Sequence, residues 1–186
     1  MTGCPAPAAR SSIRTMNLRE PHADAAWPDR TTRLFDDETG LLGAEAWDVV
    51  LAVESARCTR YGRTATVVIV EVASLDTLAE VWGADVGTIA AARVGSALRS
   101  RSRSSDYAAR LGRGRFAVLL PETDEVAAVN YVERARLICD EVLRTDESGA
   151  RARFGWADAT GDRSLMAAAA TALARLETHG GAEDGS

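Results

Sequence analysis

Two arginines stand in a glycine turn that reads Gly112-Arg113-Gly114-Arg115 and is followed by Phe116. Guanidinium forks match phosphate oxygens, so Arg113 and Arg115 have the chemistry to grip a phosphate directly, without metal. The plainer alternative is two solvated cations on an exposed turn, and composition favours it. All 22 basic residues are arginine, so a single arginine says little by its type alone. Histidine occurs only at His22 and His179, too few for zinc chemistry. Cys4, Cys58 and Cys139 are far apart and odd in number, which fits a reducing cytosol rather than a disulfide framework. Cys58, Cys139, Trp47, Trp82 and Trp156 fall on apolar faces and read as core.

The turn needs strands to hold it. Residues 107–111 and 115–120 are β-type runs on either side, and glycine reaches φ > 0 without a Cβ penalty, so the stretch predicts a β-hairpin. Pro121 closes the second strand, because it cannot continue a central ladder. Upstream, Trp47, Val50, Leu51 and Cys58 recur at helical spacing, and the pattern stops near Gly62. Residues 64–72 are β-branched and almost wholly apolar, as suits a central strand covered on both faces. Helices are predicted over 75–82 and 86–98, parted at Gly83. Another spans 124–143, with Ala128, Val132, Ala135, Cys139 and Val142 on its apolar face. A strand over 151–157 and an Ala-rich helix over 163–178 complete the order.

Length and composition suit one soluble domain. The net charge of −5 gives no reason to expect nucleic acid or an anionic membrane as partner. No apolar run approaches the ~20 residues of a membrane span, and no signal peptide is visible. Residues 1–32 read as a flexible leader, 33–180 as the domain and 181–186 as a disordered tail.

The hairpin wording, Leu-Gly-x-x-x-Phe-Ala-Val-Leu-Leu-Pro, resembles the signature of the GGDEF family, the diguanylate cyclases. Asp36-Asp-Glu-Thr-Gly-Leu41 is similar to the family's opening Asp-x-Leu-Thr-Gly-Leu, with Glu38 in place of leucine. The resemblance implies an α+β fold: a central mixed sheet akin to the ferredoxin-like palm of nucleotide cyclases, with helices packed on it.

It also implies a site. The family joins two GTP molecules with carboxylate-held metal. Of its first metal motif, Glu71 keeps a carboxylate, while Ala73 replaces an aspartate and Asp76 a lysine. The guanine-reading positions fall on Ala79 and Thr88. In the signature turn, Gly114 and Arg115 stand where the family has acidic groups. A guanidinium about 4 Å from a cation costs roughly 4 kcal/mol per unit charge at an effective dielectric near ~20. The expectation is therefore a degenerate member that is not an enzyme, with no catalytic residue, no metal and no cofactor.

A second site of the family, an inhibitory Arg-x-x-Asp ahead of the turn, is matched by Arg103-Ser-Ser-Asp106 at the same spacing. The helper arginine on the next helix falls on Arg134. The resemblance implies that these three hold cyclic di-GMP; alternatively the serine-arginine stretch is a solvated connection and Asp106 only starts a strand. The leading reading is a cytoplasmic cyclic di-GMP receptor. The alternatives are a nucleotide-independent scaffold that binds a protein partner or a second copy of itself, and a residual cyclase.

Overall fold

The run Ala-Thr-Val-Val-Ile-Val is so apolar that neither face of a strand built from it can meet water. It forms β1 (Ala65–Glu71), buried along its first six residues. The computed structural model describes residues 34–72, 75, 79–80, 83–144, 150–160 and 163–180. Within them, α1 (Ala44–Tyr61) precedes β1. Then come α2 (Ala84–Arg101), β2 (Tyr107–Arg110), β3 (Arg115–Pro121), α3 (Glu125–Leu143), β4 (Arg153–Ala159) and α4 (Leu165–Gly180). Leu75, Ala79 and Glu80 are helical as well, within the helix predicted before Gly83. The expected leader and tail, together with Ala73, Asp76 and Trp82, lie outside the described residues.

The four strands are ordered β2-β3-β1-β4, and their three ladders are antiparallel. The α+β expectation holds, but the mixed sheet needs correcting. Among the described residues the parallel pairing is a single bridge, Leu42 to Ala109. The hairpin reverses the chain before β3 reaches β1, so the two meet head to tail.

Side chains alternate across the sheet with a period of two. Val68, Val70, Phe116, Val118 and Leu120 pack with Val94 and Leu98 of α2 and with Tyr131, Val132 and Cys139 of α3. Val67, Ile69, Ala117 and Leu119 pack with Trp47 and Leu51 of α1 and with Leu165, Ala172 and Leu176 of α4. The sheet is thus sandwiched between two pairs of helices. Trp47, Cys58 and Cys139 are core, as expected, and half-buried Trp156 packs against the α2–α3 side. Burial pushes the Cys139 thiol up to about 12, so it stays protonated and inert.

Local signals set the helix ends. Gly62, at φ 61°, terminates α1 in the left-handed conformation and donates its N–H to the Cys58 carbonyl. The Asp124 carboxylate accepts from the Ala127 N–H at 2.7 Å and starts α3. Among the described residues, no helix is long and apolar enough to cross a membrane.

Candidate functional site

Register brings three charges together at one end of the sheet. Glu71, the last residue of β1, lies opposite Arg115 on β3 and Arg153 on β4. Arg115 donates to Glu71 Oε1 at 2.8 Å, and Arg153 donates to Oε2 at 2.6 Å. Burial pushes the Glu71 carboxyl up, but its two guanidinium partners outweigh this and hold it below the usual carboxylate range. Arg115 is therefore a paired cation, not the freely solvated one that the turn suggested. Glu71, the residual carboxylate expected at the metal position, has both oxygens engaged. Among the described residues, no three His, Cys, Asp or Glu side chains gather as metal ligands. These residues do not fit a divalent ion.

The signature turn sits against the end of β1. Gly114 accepts a hydrogen bond from the Val72 N–H at 2.8 Å. A Cβ added to Gly114 would lie 2.5 Å from the Val72 carbonyl oxygen, whereas one at Gly112 would meet open space. Among the described residues the glycines with positive φ are Gly40, Gly62 and Gly83, and neither turn glycine is one of them. The expected reason for glycine here is thus corrected: at Gly114 it is close approach, not a left-handed backbone. Phe116 is wholly buried and anchors the far side of the turn.

Arg110, at the end of β2, ties the turn to the 36–41 segment. It donates to the carbonyls of Gly112 at 3.1 Å and Arg113 at 3.3 Å, and to Asp36 Oδ1 at 3.1 Å; Glu38 is a further ion partner. Burial raises the Asp36 carboxyl, but hydrogen bonds from Thr39 and then Arg110 hold it below its ordinary value. Beside this linkage lies a small cleft of about 170 Å³, lined by Glu38, Leu75, Ala79, Thr88, Arg110 and Arg113. Ala79 and Thr88, the two positions that the family resemblance assigns to guanine, therefore meet in one cleft beside the turn. Thr88 donates to Glu38 Oε1 at 3.4 Å across it.

The Arg103-Ser-Ser-Asp106 stretch is an ordered turn between α2 and β2. Asp106 Oδ2 accepts from the Arg103 N–H at 2.6 Å, and the Asp106 N–H donates back to the Arg103 carbonyl at 3.1 Å. Both arginine side chains, Arg103 and Arg134, are exposed. Tyr131 of α3 pins the end of α2: its hydroxyl lies 3.3 Å from Ser102 Oγ and donates to the Leu98 carbonyl at 3.4 Å. Arg134 follows Tyr131 by three residues and so shares its flank of the helix. Burial pushes the Tyr131 phenol well above its ordinary value, and the charges of Asp106 and Arg134 both act on it. Arg103 and Asp106 thus share one turn, and Arg134 stands on the helix that packs against α2.

The match to a family model described as "Diguanylate cyclase, GGDEF domain" covers residues 33–182. The chain belongs to the GGDEF family. It is 30% identical over 99 residues to the probable diguanylate cyclase DgcC of Escherichia coli K12, covering 53% of this chain and 27% of that protein. It is 30% identical over 102 residues to the diguanylate cyclase DosC of the same strain, covering 55% and 22%. The chain thus spans about a quarter of the length of these relatives. Among solved structures, the GGDEF domain of DgcB from Caulobacter crescentus, in complex with c-di-GMP, superposes with a TM-score of 0.74 at 20% identity, over 81% of this chain and 91% of that one. This likeness shows the fold. The expectation of a non-enzyme is overturned here: the GGDEF family is described by its cyclase, and DgcC and DosC are both named for that activity.

Sequence reasoning missed Arg153, Arg110, Glu38 and Tyr131 as parts of these sites. Arg153 and Arg115 become partners only through the register of two ladders, which no local pattern reveals. Tyr131 did carry a signal, since it lies three residues after Ala128 and four before Ala135, on the predicted apolar face.

Proposed function

We propose that this GGDEF domain is a cytoplasmic signalling module that binds cyclic di-GMP through Arg103, Asp106 and Arg134. The supporting observation is the pinned junction of α2, α3 and β2, where Tyr131 of α3 meets Ser102 next to the Arg103–Asp106 turn. Two exposed guanidiniums suit the two phosphates of the ligand, and the Asp106 carboxylate accepts from guanine N–H groups. The cyclic di-GMP complex of the similar DgcB domain supports the same ligand class. Isothermal titration of the purified protein tests it. Heat of binding at micromolar ligand, lost in the Arg103→Ala, Asp106→Ala double variant, is the expected result; no heat at tens of micromolar refutes it.

The names of DgcC and DosC favour a second reading, condensation of two GTP molecules to cyclic di-GMP. Incubation with GTP and magnesium or manganese, followed by chromatography, decides it. Cyclic dinucleotide above a blank carries this reading, and unchanged GTP ends it.

A further inference from the structure

α1 turns one face to the core and carries an apolar stripe on the other. Trp47, Leu51 and Cys58 are buried, whereas Val49, Ala52, Val53 and Ala56 are exposed. Those four recur at i, i+3, i+4 and i+7, the spacing of a helix face that packs against something. Val49 and Val53 are 64% and 57% exposed, and Met166 of α4, 60% exposed, extends the patch. A shallow groove of about 520 Å³ runs between Ala52 and Ala56 of α1 and Met166. A surface helix ordinarily shows water a polar face, and contiguous exposed apolar area marks an interaction surface. Opposite charges bound the stripe: Glu45 in the first turn of α1 and Arg60 in the last. Both are exposed, and among the described residues neither has an ion partner, although Arg60 lies over the Tyr61 ring at 5.5 Å. Arg57, by contrast, is held by Glu54 at 2.8 Å.

From this distribution we infer that the outer face of α1 pairs with α1 of a second copy of this chain, antiparallel and about a two-fold axis. The face is self-complementary in that sense. With the axis beside Ala52 and Val53, Val49 faces the second copy's Ala56 and Ala56 faces its Val49, large against small, as ridges set into grooves require. The same register sets Glu45 of each copy against Arg60 of the other, twice. A parallel pairing would instead set Glu45 beside Glu45 and Arg60 beside Arg60. The antiparallel sense also lays the two helix dipoles head to tail. One 18-residue helix per copy makes a small interface, so the dimer is weak and reversible. α2 and α3 lie on the opposite side of the sheet, so this pairing does not rest on the cyclic di-GMP reading.

The test is sedimentation velocity of the full chain without nucleotide, over concentrations on the order of 10 µM to 1 mM, where a small interface becomes populated. The expected result is a mass that rises with concentration from one copy towards two. The Val49→Glu, Val53→Glu variant is expected to weaken the dimer by about tenfold or more. Glu45→Arg and Arg60→Glu are each expected to weaken it severalfold, and mixing the two variants is expected to restore it, because each charge then meets its opposite. General stickiness of an apolar patch gives no such rescue. Three results overturn the inference: the mass of one copy throughout the series, association indifferent to the loss of Val49 and Val53, or charge variants that fail to recover on mixing. All four substituted positions are exposed, and circular dichroism verifies that each variant retains the fold.

Discussion

Glu71 holds three strands together through two ion pairs, and its protonation weakens both. Its carboxyl, like that of Asp36, titrates lower in the folded chain than its ordinary value. The stabilisation is present above the unfolded values of roughly 4.3 for Glu and 3.9 for Asp, and is lost as pH falls through the lower folded values. The urea midpoint should therefore drop below about pH 4, and Glu71→Gln should flatten that acid limb while lowering the midpoint at neutral pH. At Gly114 the prediction is steric: Gly114→Ala drives a methyl onto the Val72 carbonyl and should cost about 1–3 kcal/mol in urea unfolding, whereas Gly112→Ala meets open space. Legibility at this scale was uneven. The identity of each ligand-type residue was on the surface of the sequence, but its partner was not. Arg115 read as solvated because Glu71 lies 44 residues away and meets it only across a ladder.

Elements were far more legible than partners, because hydrophobic period and caps are local. The helix over 124–143 was readable from its apolar stripe, and Asp124 does cap it. Asp124→Ala should cost about 1 kcal/mol, seen as a shifted thermal or urea midpoint with α3 still formed. The antiparallel sense of β1 and β3 was not readable in the same way, since it follows from where the hairpin delivers the chain. Arg110 shows how elements are coupled: one side chain from β2 reaches two turn carbonyls and the acids of the 36–41 segment. Arg110→Ala should leave the sheet intact and speed amide exchange at Gly40, whose N–H bonds the Asp36 carbonyl within that segment. Unchanged exchange there would remove Arg110 from this linking role.

At the scale of the whole molecule, the two helical layers meet the sheet differently. On one side, Gly155 of β4 lies so near α4 that an added Cβ would fall 2.1 Å from the Ala172 carbonyl and 2.8 Å from the Leu176 nitrogen. Strand and helix touch backbone to backbone there, without a cushion of side chains that could slide or compress. The pair should consequently open to solvent as a single cooperative unit rather than peel apart. In native-state deuterium uptake, slowly exchanging amides of β4 and α4 should share one opening free energy and one denaturant slope. A helix that took up deuterium well before its strand would show the two to be mechanically independent.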